Sequence, residues 1–112
     1  MAWSKTGIAY GAFPPGTMRE VDLEGTPVLL VRLAADVHAV GAICSHEGGI
    51  LADGTLAANR VTCPVHGAAF DVRSGHVLAD PDGVEPPAGQ IDALTRYPTR
   101  VVDGFVEVDL GA

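Results

Sequence analysis

Two short runs hold most of the metal-binding chemistry in this chain: Cys44-Ser45-His46 and, sixteen residues further on, Cys63-Pro64-Val65-His66-Gly67. Both of the chain's cysteines and two of its four histidines fall in these runs. Each run supplies one thiol and one imidazole, so Cys44, His46, Cys63 and His66 make two matching clamps. The other histidines, His38 and His76, lie in strand-like stretches with no cysteine at ligand spacing and are expected to be structural. Cys44 and Cys63 could also be inert interior thiols, since free cysteine is commonly buried, but a histidine beside each one argues for a ligand role.

Two metals suit such a set. Zinc accepts two cysteines and two histidines at one tetrahedral centre, although its usual spacing groups Cys with Cys and His with His. A two-iron, two-sulfide cluster in which His replaces Cys on one iron needs two ligands of each type, sorted by iron. Two loops lying side by side would place the cysteines innermost on one iron and the histidines outermost on the other. The mixed grouping therefore favours the 2Fe-2S cluster, with zinc as the alternative. The ligand set also has a charge consequence. Two ferric ions, two sulfides and two thiolates sum to zero, whereas four thiolates would leave a double negative charge. An arriving electron meets less repulsion, so the reduction potential belongs in the range of about −150 to +300 mV and not near −400 mV.

Loops at the ends of short strands must position these clamps. Fourteen glycines and eight prolines punctuate short segments rich in Val, Ile and Leu, which is the spacing of an antiparallel β-protein. Strands are expected over 17–23 and 26–33, joined at Glu24-Gly25, and over 36–43. Shorter ones are expected over 60–62, 69–72 and 76–78, with Arg73-Ser74-Gly75 as a turn. Residues 94–102 and 105–110 flank Asp103-Gly104, a strong hairpin signal. In the last strand Val106, Val108 and Leu110 alternate with Phe105, Glu107 and Asp109, which predicts one buried and one wet face. Trp3 and Phe13 are expected to pack in the core or at a sheet edge. No segment carries a convincing helical period, so the fold class is all-β.

Composition bounds the rest. At 112 residues a single compact domain is expected, able to bury a core without disulfide staples. Seven basic against fourteen acidic residues give a net charge of −7, which argues against a nucleic-acid partner and for one with a basic docking face. No apolar run approaches the ~18 residues of a membrane span. The first residues lack the apolar core and cleavage site of a signal peptide, and a soluble cytoplasmic protein is expected. In that compartment a cysteine pair is more often metal-binding than a disulfide.

The motif Cys-x-His, sixteen residues, Cys-x-x-His-Gly resembles that of the Rieske iron-sulfur proteins, in particular the small soluble Rieske-type ferredoxins. The flanks agree: Glu47-Gly48-Gly49 after the first clamp, then Gly67-Ala68-Ala69-Phe70-Asp71 and the Arg73-Ser74-Gly75 turn after the second. The likeness runs on through Pro86-Pro87-Ala88 and the Tyr97 strand to the closing hairpin. It implies an antiparallel β-sandwich base formed by the two ends of one domain, 1–112, carrying a small cluster-binding subdomain over about 44–77. It also implies that the proline-containing loop over 80–89, ordinary by composition, shields the cluster.

The resemblance further implies one 2Fe-2S cluster held by Cys44, His46, Cys63 and His66, in a monomeric one-electron carrier that is not itself an enzyme. Such a carrier takes electrons from a flavin-dependent ferredoxin reductase and passes them to a terminal oxygenase of the aromatic-ring dioxygenase type, docking transiently with each. High-potential members of the family add a loop disulfide and hydroxyl donors to the cluster. Here both cysteines are ligands, and Val65, Ala68, Ala69 and Phe70 offer no hydroxyl, so a potential near the low end, about −150 mV, is expected. The small subunit of assimilatory nitrite reductase is a second reading of the same resemblance, and a zinc-stabilised binding module is the reading from a different class.

Overall fold

The computed structural model describes residues 2–45 and 48–111. His46 and Glu47 lie outside the described residues, so the expected ligand role of His46 has no structural counterpart here. Three antiparallel sheets account for the strands. The first has the order β1 (Trp3–Ala9), β11 (Phe105–Asp109), β10 (Thr99–Val102). The second has the order β2 (Thr17–Leu23), β3 (Thr26–Arg32), β4 (Val37–Gly41), β9 (Arg96–Tyr97). The third has the order β5 (Thr55–Ala57), β6 (Arg60–Thr62), β7 (Ala69–Asp71), β8 (Val77–Ala79). Among the described residues helical structure is limited to three single 3-10 turns, and no helix is long and apolar enough to cross a membrane.

The run Val28-Leu29-Leu30-Val31 shows why the second sheet lies in the middle. A strand with one wet face alternates, whereas a strand covered on both sides reads as a continuous apolar run. Leu29 and Val31 of β3, with Val40 of β4, pack into one core with Val61 of β6 and Phe70 of β7. Val28 and Leu30, with Val37 and Ala39, pack into a second core with Ile8 of β1 and Val106 and Val108 of β11. The middle sheet is thus sandwiched between the sheet of the chain ends and the small third sheet. Both expected two-residue hairpins form. Glu24-Gly25 joins β2 to β3 with φ of 55° and 85°, and Asp103-Gly104 joins β10 to β11 with φ of 52° and 84°. Two successive left-handed residues give the turn whose twist matches its flanking strands.

Several expectations need correcting. β1 and β5 have no counterpart in the sequence reading. β1 is interrupted by a left-handed Gly7 (φ 75°) and a register shift between Lys5 and Ala9, which hides its alternation. The expected strand over 94–102 is two strands in different sheets. Pro98 lacks the N–H for a central ladder, and the chain crosses there from β9, paired with β4, to β10, paired with β11. The expected wet face of the last strand is also covered, because Glu107 and Asp109 are buried. Nε and Nη2 of Arg100 donate to Glu107 Oε1 at 2.9 and 2.8 Å, while its guanidinium lies 4.1 Å from the centre of the Trp3 ring. Asp109 Oδ1 accepts from the amides of Ala2 and Gly111, each at 2.9 Å, which hold its carboxyl below the usual carboxylate range. Phe13 is core and Trp3 is half-buried at the edge, as expected.

Candidate metal centre

The two clamps occupy the ends of two hairpin-like loops with the same internal wiring. After β4, a bridge between Ile43 and Ile50 closes residues 44–49 into a loop. Between β6 and β7, the Thr62–Ala69 pair closes residues 63–68. In the first loop Cys44 N–H donates to Gly49 O at 2.8 Å and Gly48 N–H to Cys44 O at 3.2 Å. In the second, Cys63 N–H donates to Ala68 O at 2.7 Å and Gly67 N–H to Cys63 O at 3.2 Å. The fifth residue of each loop adopts a left-handed conformation, Gly48 at φ 67° and Gly67 at φ 78°. Glycine reaches that region without the penalty of a Cβ. Two loops with one hydrogen-bond pattern present their leading cysteines as a pair.

Burial sorts the donors. Cys44 and Cys63 are each 2% exposed, at the end of the core that contains Leu51, Ala68, Phe70 and Val72. The two thiols are neighbours, and burial, aided by Cys44, pushes the Cys63 thiol above its ordinary value. His66, on the same loop as Cys63, is exposed. Gly49 keeps the space beside the thiols open, since a Cβ there would lie 2.6 Å from Cys63 Sγ and 2.8 Å from Val65 Cγ2. Among the described residues no three Cys, His, Asp or Glu side chains are grouped as for a single ion. The described donors are a buried thiol pair and an exposed imidazole. That division fits a two-metal group with sulfur ligands inside and nitrogen ligands outside. His38 is half-buried in β4, opposite Val31, and burial lowers its pKa; His76 is exposed just before β8. Neither is on a clamp, in line with a structural role.

Residues 80–92 make contacts to both loops that no local sequence pattern marks. Asp82 N–H donates to the carbonyl of His66 at 2.5 Å, and a Cβ on Gly67 would lie 3.8 Å from the amide nitrogen of Gly83. At the other end, the Ser45 hydroxyl donates to the carbonyl of Asp92 at 2.6 Å. One segment therefore ties down both ligand loops. Ser45 stands between the candidate ligands Cys44 and His46, and its hydroxyl proton points to this segment. No local pattern marks Ser45 or Asp82, whose partners lie 47 and 16 residues away.

Comparison with known proteins places the chain. The family described as the Rieske [2Fe-2S] domain matches residues 8–98, and the chain belongs to that family, whose cofactor is a 2Fe-2S cluster. Apoptosis-inducing factor 3 of Homo sapiens is 47% identical over 86 residues, 77% of this chain. This chain spans only 13% of the length of that protein. The anthranilate 1,2-dioxygenase ferredoxin subunit of Burkholderia cepacia is 33% identical over 86 residues, covering 76% of this chain and 71% of the relative. Among solved structures, a chain in the complex of reduced oxygenase and oxidized ferredoxin of carbazole 1,9a-dioxygenase superposes with a TM-score of 0.81 at 29% identity, over 95% of this chain and 91% of that one. A putative NADH-dependent nitrite reductase small subunit from Mycobacterium tuberculosis superposes with a TM-score of 0.79 at 28% identity, over 99% and 96%.

Proposed function

We propose that this chain is a one-electron carrier whose 2Fe-2S cluster is held by Cys44 and Cys63 on one iron and by His46 and His66 on the other. The observation that carries the reading is the division of donors within matched loops: a buried, adjacent thiol pair and an exposed imidazole on the same loop as one of the thiols. When bound, the cluster supplies one-electron redox chemistry at a potential raised by its two neutral ligands. The chain does the rest. The apolar shell of Leu51, Ala68, Phe70 and Val72 keeps water from the sulfur side, and the exposed His66 side is where an electron would enter and leave. The chain itself catalyses no turnover.

Its donor is a flavin-dependent ferredoxin reductase and its acceptor a terminal oxygenase of the aromatic-ring dioxygenase type. The ferredoxin relatives support this reading, since the anthranilate and carbazole proteins are named as parts of dioxygenase systems and align over most of their length. Charge supports it as well. Residues 44–92 hold seven acidic side chains against two basic ones, five of the chain's net seven negative charges. The half that bears the clamps would thus be steered onto basic partner surfaces, through a small transient interface of under about 1,200 Å². A reducing cytoplasm is the setting in which Cys44 and Cys63 stay available to iron. A second reading, the small subunit of an assimilatory nitrite reductase, is favoured by the near-complete superposition on the Mycobacterium tuberculosis protein.

Electron paramagnetic resonance of the dithionite-reduced protein, with iron and sulfide assay, tests the cofactor. A mixed-ligand 2Fe-2S signal with iron and sulfide in equal amounts is expected. Colourless protein carrying one zinc would establish the binding-module alternative. Reduced protein offered to an oxygenase and to a nitrite reductase large subunit separates the two carrier readings.

A further inference from the structure

Asp80 is the one carboxylate whose burial the fold leaves without a reason. It is fully inaccessible to solvent, and among the described residues its Oδ1 is the only buried side-chain polar atom without a hydrogen-bond partner. The other buried acids are provided for: Glu107 has the Arg100 guanidinium, and Asp109 has two backbone amides. A buried polar group left unpaired is costly, so its retention calls for an explanation in what surrounds it.

Its surroundings are the second ligand loop. Asp80 follows Ala79, which pairs with Ala69, and therefore stands beside the His66-Gly67-Ala68 segment. Its Oδ2 accepts from the amide of Ala88, while its own backbone binds Val84 and Gly83. Those bonds close residues 80–88 into a ring. The ring has almost no apolar anchorage, since residues 82–90 are all exposed, so the carboxylate takes the place of a core beneath it. From this ring the Asp82 amide reaches the His66 carbonyl.

We infer that Asp80 is a positioning residue for the histidine side of the cluster, and that its unpaired carboxylate also holds the reduction potential down. This rests on the carrier reading above. The first effect follows from the ring: Asp80 fixes Ala88, the ring fixes Asp82, and Asp82 fixes the backbone of His66. The second follows from charge. Reduction adds one negative charge to the cluster, and a carboxylate buried beside the ligand loop, with no ion-pair partner among the described residues, opposes that step in a medium that screens poorly.

Two substitutions separate the effects. Asp80→Asn keeps an oxygen for the Ala88 amide and removes the charge. Its midpoint potential, from dye-mediated titration followed by electron paramagnetic resonance, should move positive with unchanged g values and unchanged iron and sulfide content. An unmoved or more negative midpoint overturns the charge effect. Asp80→Ser makes the same comparison if the Asn variant does not fold. Ala88→Pro removes the amide donor and leaves the carboxylate in place. It should release iron to a chelator several-fold faster and speed hydrogen exchange at the Asp82 amide, with no positive shift of the midpoint. Parent-like release and exchange overturn the positioning role. The parent's own iron and sulfide content tests the carrier reading separately, because a parent without a cluster refutes that reading whatever the variants do.

Discussion

Replacing Gly49 by alanine puts one methyl group into the gap beside the thiol pair. The added carbon would lie 2.6 Å from Cys63 Sγ and 2.8 Å from Val65 Cγ2. Ordinary contact between such atoms begins near ~3.5 Å, so relief needs a displacement of about 0.9 Å at the sulfur. Overpacking of this kind costs about 1–3 kcal/mol, which a domain with about 5–15 kcal/mol of stability survives. A metal site is less forgiving, since ligand distances must hold within about 0.2 Å. The cluster should fail before the fold does. Gly48→Ala is the matched control. No described residue lies within 4 Å of a Cβ there, but φ is +67°, so the change costs about 1–2 kcal/mol of backbone strain without intruding on the thiols. Iron and sulfide assay, visible absorption and thermal unfolding of both variants decide the matter. Folded Gly49→Ala with little iron or sulfide, beside Gly48→Ala that keeps its cluster at a lower Tm, is expected. Full cluster content and a parent spectrum in Gly49→Ala would refute the reasoning.

Three further outcomes follow from the same structure. Arg100→Ala leaves the buried Glu107 without its cation and uncovers Trp3. Because the arginine is itself half exposed, the loss should be about 1–2 kcal/mol, seen as a Tm lower by about 5–10 °C with an unaltered cluster spectrum; a changed spectrum would mean that this edge reaches the clamps. The Arg73 guanidinium beside Asp71 lowers that carboxyl from 3.8 to about 2. A depressed folded-state pKa gives stability that is fully present above the unfolded value and lost as pH falls towards the folded one. The Tm advantage of the parent over Asp71→Asn should accordingly be constant above about pH 5 and shrink as pH approaches 2, and a gap that widens on acidification would contradict the assignment. Electron transfer from the reductase should slow as ionic strength rises, because the acidic half of the chain steers the encounter; stopped-flow rates independent of salt would remove the steering argument.

Legibility in the sequence followed the range of the interactions. Both hairpin turns could be read because Glu24-Gly25 and Asp103-Gly104 need only their own backbone preferences. The strand over 26–33 could be read, though nothing local said that sheets would cover both of its faces. β1 escaped notice because Gly7 and the adjoining register shift broke its alternation. The wet face expected on β11 was wrong because Arg100 and Trp3, one from a neighbouring strand and one from the far end of the chain, close over it.

At the site, the candidate donors could be read from the chain itself, because Cys44-Ser45-His46 and Cys63-Pro64-Val65-His66 carry their chemistry within a few residues of one another. What tertiary structure decided was their environment. Burial of both thiols, exposure of His66, the Ser45 and Asp82 tethers to the 80–92 segment and the isolation of the Asp80 carboxylate arise where distant segments meet. Donor type is a property of a side chain, whereas solvent access and the field at a site belong to everything packed around it.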